Sequence, residues 1–255
     1  MHDAVVTSDG DRIRWVELAG SEPARVYLHG LGASSPVYFA AAAAHPLLAG
    51  RRSLLVDLLG FGVSDRPPGF DYGLESHADA VAAALRAAGV AGAEVIGHSM
   101  GGSVAVVLAA RHPELVSRLL VVDGNLDAQA PARGAAGSRG IAAYSEDEFV
   151  HGGGWEATAT SVGAAWWATM RLSGRKALHR SSVRLCRGTA PSVRELLRGL
   201  SVPRTFIWPA SDGELRGAGE LAASGVRLAP LADCGHNVML DAPDAFAQSA
   251  AQALG

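Results

Sequence analysis

Two rhythms of apolar and polar positions run along the chain. Residues 5–7 and 13–18 are short runs of strand-forming residues on either side of Ser8-Asp9-Gly10-Asp11, and the Asp-Gly turn between them predicts a β-hairpin. Apolar runs at 25–28, 53–56, 95–96, 119–122, 204–208 and 226–231 predict further short, buried strands. Helical spacing separates many of them: residues 37–48, 74–88 up to Gly89, 103–110 before His112-Pro113, and 243–254. Strands alternating with helices predict an α/β fold, a mostly parallel central sheet with helices on both faces.

The rhythm changes between 125 and 200. No strand pattern stands out there; the span carries Gly-rich patches at 134–140 and 152–154, aromatic helical stretches at 146–149 and 155–170, and a basic stretch at 171–187. The expected organisation is therefore a core built from residues 1–124 and 201–255, with a helical insertion over 125–200.

Composition narrows the class without naming a function. The chain has 255 residues, of which 49% are hydrophobic and 18% charged, enough for a substantial core. A formal charge of −3 gives no reason to expect nucleic acid as a partner. Cys186 and Cys234 are too few and too far apart for a disulfide framework, so a reducing cytoplasm is the expected location. No Cys/His pairs stand at metal-ligand spacing, the first residues lack a signal-peptide pattern, and no apolar run is long enough to span a bilayer. The expectation is a protein with no cofactor, no metal and no membrane partner; oligomeric state is not legible.

Chemistry concentrates at strand ends. Gly97-His98-Ser99-Met100-Gly101 fits G-x-S-x-G, with an apolar run before it and an alanine-rich helical run after it. A strand turning directly into a helix strains the central residue and leaves space only for glycine two positions either side. His29-Gly30, Asp57, Ser99, Asp123, Asp212 and His236 each follow a predicted strand. In a parallel sheet such positions share the carboxyl edge, where ligand sites form.

On these residues the chain resembles the α/β-hydrolase superfamily, in its serine-nucleophile, esterase-like branch with a helical cap. The resemblance spans nearly the whole chain. It rests on His29-Gly30-Leu31-Gly32, on residues 57–64 (D-x-x-G-x-G-x-S), on the Gly97–Gly101 pentapeptide, and on Gly235-His236 followed by Asp241-x-Pro243. It implies a serine hydrolase of carboxylic esters or related acyl substrates acting through an acyl-enzyme. Ser99 would be nucleophile, His236 base, and the amides of Leu31 and Met100 an oxyanion hole. Asp57 is expected to brace its glycine loop, and His29 and His98 to shape theirs.

Two candidates remain for the acid. Asp212 has the family-like place after residues 205–208, although Pro209 replaces the usual glycine; Asp123 follows the preceding strand, an arrangement also used in the superfamily. Asp212 is favoured. Trp155, Trp166 and Trp167 are expected to line a substrate pocket, and the basic stretch to be a solvated face. The alternatives are a carbon–carbon bond hydrolase or lyase on the same residues, and a non-catalytic ligand-binding protein of the same fold. Epoxide and haloalkane hydrolases are disfavoured because position 99 is not a carboxylate.

Overall fold

The computed structural model describes all residues, Met1–Gly255. Its centre is an eight-stranded sheet: β1 (His2–Val5), β2 (Arg12–Leu18), β3 (Ser21–Leu28), β4 (Arg51–Asp57), β5 (Ala93–His98), β6 (Val116–Val122), β7 (Arg204–Pro209) and β8 (Val226–Leu231). Their spatial order is β1-β2-β4-β3-β5-β6-β7-β8. The β1–β2 hairpin and the β2–β4 pair are antiparallel, and every other pairing is parallel.

Helices α1 (Ser35–Ala44), α2 (Leu74–Ala87) and α3 (Met100–Arg111) connect the first parallel strands. Between β6 and β7 the chain adds no strand to the sheet. It runs instead through α4 (Gly137–Ile141), α5 (Glu146–Val150), α6 (Gly154–Ser161), α7 (Ala164–Met170), α8 (Arg175–Arg187) and α9 (Val193–Gly199). Helices α10 (Ala218–Ala223), α11 (Val238–Asp241) and α12 (Pro243–Leu254) complete the chain.

The central strands are buried on both faces, which is why they read as unbroken apolar runs. Val26, Leu28, Leu54, Val56 and Val95 pack with Val81 and Leu85 of α2 and Val104 and Val107 of α3. Tyr27, Leu55 and Ile96 point the other way, onto Phe39 of α1 and Phe246 of α12. Each such large apolar side chain contributes about 1.5–3 kcal/mol on burial.

One ion pair interrupts this core. Arg25 donates from Nε and Nη2 to Glu94 Oε2 at 2.9 and 2.6 Å, and from Nη1 to the Leu48 carbonyl at 2.8 Å. Arg25 and Glu94 are register partners on β3 and β5, so the pair pins the two strands that matter most for the site.

Some boundaries differ from the sequence expectation. The first helix stops at Ala44 because His45 precedes Pro46 and is extended (φ −64°, ψ 138°), the conformation proline imposes on its neighbour. The expected helical stretch over 155–170 is two helices, broken where Val162 and Gly163 are extended. Thr158 and Ser161 hydroxyls bond back to backbone carbonyls of α6, the local competition that weakens helices. Helices α4, α9, α10 and α11 were not expected: at four to seven residues they carry too few periods to show in the pattern.

Candidate active site

The lateral order of strand addition reverses at the parallel β3–β5 pair: β3 is followed on one side by β4, whereas β5 leads on to β6 on the other. Such a switch point opens a crevice at the carboxyl ends of the strands. Ser99 stands there, between β5 and α3, with φ 52° and ψ −121°. This conformation costs on the order of 1–3 kcal/mol for a residue with a Cβ, and its surroundings hold it. Ser99 N–H donates to the Val122 carbonyl at 2.9 Å, and the Ser99 carbonyl accepts from Gly102 and Ser103 at 2.9 and 3.2 Å. A Cβ on Gly97 would overlap the Gly101 carbonyl, and one on Gly101 would overlap the carbonyls of Leu28 and His29. Both glycines are thus required by close backbone approach.

His236 lies in the loop after β8, and its Nδ1 is 2.6 Å from Asp123 Oδ2. A carboxylate only accepts, so Nδ1 carries the proton and Nε2 presents a lone pair. Asp123, at the end of β6, has φ 47°, and its N–H donates to the Ile207 carbonyl at 2.7 Å. Ser99 Oγ and His236 Nε2 make no hydrogen bond, but both residues line the same cavity of about 380 Å³.

The carboxylate favoured from sequence is elsewhere. Asp212 is exposed on a single 3₁₀ turn, Ala210–Asp212, and makes no hydrogen bond. Pro209 keeps β7 extended to its last residue, and the Trp208 indole N–H reaches over to the Gly213 carbonyl at 3.0 Å. That clamp closes the turn and leaves Asp212 on the outside. The aspartate at His236 is Asp123.

The neighbouring groups hold the loops in shape. Leu58 N–H donates to His29 Nε2 at 3.0 Å, so His29 Nδ1 carries the proton and donates to the Gly30 carbonyl at 2.7 Å. Burial drives the His29 pKa down, keeping it neutral. The same cause, helped by the nearby His236, lowers His98 to about 3. Neutral His98 donates from Nε2 to the His236 carbonyl at 2.9 Å, tying the elbow to the histidine loop. Asp57 is buried and accepts from Ser35 N–H, Val63 N–H and Ser34 Oγ at 2.8, 3.0 and 3.2 Å. It fills the place a Cβ on Gly62 would need, at a position where φ is +51°.

At the mouth of β3, Leu31 N–H has no hydrogen-bond partner, while the Leu31 carbonyl accepts from the Trp166 indole at 2.8 Å. The Met100 N–H opens α3, where the first amides have no partner within the helix. Leu31, on the loop after β3, lines the same cavity as Ser99, and Met100 follows Ser99 directly in the chain.

Of the three expected pocket tryptophans, Trp166 alone lines the cavity. Trp155 is buried against Phe149 and Trp167, and Trp167 packs on the same core. They face each other because α6 and α7 are separate helices, which turns their indoles inward. The cavity also takes in residues the motif search passed over: Tyr38, Asn125, Gln129, Arg139, Leu185 and Asn237. They come from five different segments of the chain: α1, the loop after β6, α4, α8 and the loop before α11. The basic stretch of α8 is spent on ion pairs: Arg180 with Glu146, Arg175 with Glu156, Arg184 with Asp71.

A family model described as the alpha/beta hydrolase fold matches residues 24–147, the span from β3 through the elbow to α5. The chain has the α/β-hydrolase fold. Among solved structures of this hydrolase fold, an esterase from Exiguobacterium antarcticum superposes with a TM-score of 0.77 at 19% identity, covering 96% of each chain. Among curated relatives, a 2-hydroxymuconate semialdehyde hydrolase of Pseudomonas putida is 36% identical over 95 residues, 37% of this chain and 34% of its own length. An sn-1-specific diacylglycerol lipase of Mus musculus is 39% identical over 101 residues, 40% of this chain and 32% of its own. The matched stretches span about a third of those hydrolases. An esterase, a lipase and a semialdehyde hydrolase thus all stand among the similar proteins.

Proposed function

We propose that the protein is a cofactor-independent serine hydrolase of small carboxylic esters. The observation that carries this reading is the strained Ser99 on one cavity with a His236 whose free Nε2 is enforced by Asp123 at 2.6 Å. A serine hydroxyl is a weak nucleophile at neutral pH and needs a base to take its proton. In the proposed reaction Ser99 Oγ attacks the acyl carbon while Nε2 accepts its proton. The imidazolium is stabilised by Asp123 and returns the proton to the departing alkoxide. Water, deprotonated by the same histidine, then releases the acid. The Leu31 and Met100 amides receive the charge on the tetrahedral oxygen, each worth about 3 kcal/mol. In the same reading the helical segment α4–α9 acts as a cap, because Trp166, Arg139 and Leu185 wall the cavity from that side. At about 380 Å³ the cavity lies near the small end of ligand pockets, which favours short acyl groups over long-chain lipids.

The experiment is labelling with a fluorophosphonate followed by peptide mapping, with turnover of a short-chain ester. The adduct is expected on Ser99, and Ser99→Ala should lose activity by several orders of magnitude while folding normally. Retained turnover in a folded Ser99→Ala protein overturns the assignment. A second reading, carbon–carbon bond hydrolysis, draws on the 36% identity to the semialdehyde hydrolase. Turnover of vinylogous diketones in preference to esters would select it.

A further inference from the structure

Resting on that hydrolase reading, we propose that the cavity selects acyl substrates carrying a second, anionic group, and that Arg139 is the residue that binds it. Sixteen residues line the cavity, and no aspartate or glutamate is among them. With His98 held neutral by burial, Arg139 is the permanent charge on the cavity wall.

Its geometry is that of a held but unspent guanidinium. Arg139 sits on the short helix α4, where its Nε donates to the Ala130 carbonyl at 2.9 Å and its own carbonyl accepts from Ala132 N–H at 3.0 Å. These bonds fix the base of the fork, while Nη1 and Nη2 make neither a hydrogen bond nor an ion pair. That sets it apart from Arg180, Arg175, Arg184 and Arg194, each paired with a carboxylate. A planar fork with two free nitrogens matches a carboxylate, which it takes through two parallel N–H···O bonds.

A second observation points to a polar ligand in the same place. Asn125 Oδ1 is buried on the cavity wall with no hydrogen-bond partner. Gln129 and Ser138 also line the cavity, between Asn125 and Arg139 in sequence. Tyr38, Leu31, Ala33 and Trp166 add largely apolar surface to the same lining. One cavity of about 380 Å³ thus holds both Ser99 and the cationic side chain on α4, the pairing a short bifunctional molecule would use.

The test compares monomethyl glutarate with methyl pentanoate as substrates of the full chain, before and after Arg139→Gln and Arg139→Lys. The expected result is a kcat/KM preference for the half-ester that drops about 10- to 100-fold in Arg139→Gln, through KM, and is partly kept in Arg139→Lys. Direct binding of glutarate to Ser99→Ala protein, measured by calorimetry, separates the two claims. Glutarate binding that is lost on adding Arg139→Gln, with no ester turned over by the wild type, would leave the anion site standing and the hydrolase reading fallen. Ester turnover without preference for the half-ester, or a preference that survives Arg139→Gln, overturns the inference.

Discussion

Asp123 meets the His236 ring and Asp212 does not, and that contact makes a prediction. Asp123 orients His236 and fixes its tautomer; Asp212 is an exposed carboxylate on a clamped turn. Asp123→Asn presents an amide that cannot hold Nδ1–H in the same way, and ester turnover should fall by up to about four orders of magnitude with substrate binding nearly intact. Asp212→Asn should leave kcat and KM within about a factor of two, as expected of a surface change. Steady-state kinetics of the two variants settles the assignment; a large loss in Asp212→Asn would reverse it. Sequence could not choose, since both residues follow parallel strands, and the choice turns on where two loops distant in the chain meet.

At the scale of elements, β3 and β5 carry the site between them, and Arg25–Glu94 sets their register. Both side chains are almost fully buried, so removing one partner leaves an uncompensated charge in the core. Glu94→Ala should destabilise the fold by about 3–5 kcal/mol in urea unfolding, whereas a double replacement by Met at 25 and Leu at 94 should be close to neutral. Equal losses in both variants would mean that the pair matters through packing alone. Elements with long periodicity were legible beforehand: α2 spans Leu74–Ala87 and α12 spans Pro243–Leu254, each within a residue of expectation. The short helices α4 and α9 were not, because their positions are set by contact with α8 and α3 and not by their own few residues.

Across the whole molecule, burial of neutral histidines links the fold to pH. His77 and His98 are both pushed down to about 3 by burial, against an ordinary value near 6.5. Above 6.5 neither the folded nor the unfolded chain protonates them, and the stability is full. Below it the unfolded chain takes up protons that the folded one refuses. Stability is therefore lost as pH falls from about 6.5 towards 3, by up to about 1.4 kcal/mol per pH unit for each histidine. The window from pH 7 to 5 precedes most carboxylate titration, so denaturant unfolding at those two values reads the histidines. His77 sits among Phe61, Phe70 and Tyr72, with Nδ1 unpartnered, so His77→Phe keeps the packing and should lower that slope by roughly a third, with His29 and His98 supplying the rest. An unchanged slope would show that His77 is not the titrating group. No helix is long and apolar enough to cross a membrane.

What the sequence by itself determined is local. The glycines at 97 and 101 announce a backbone that leaves no space for a side chain, the doubly buried strands announce themselves as apolar runs, and Asp57 with Gly62 announces a braced loop. Each of these is written within a few residues, where steric exclusion and periodicity act. Tertiary structure alone decided which aspartate meets His236, which tryptophan faces the cavity, and that Arg139 stands on the cavity wall with its terminal nitrogens free. Those outcomes depend on loops separated by many tens of residues closing on one another. Their geometry is fixed by the packing of the helices and strands that carry them, which no local pattern records.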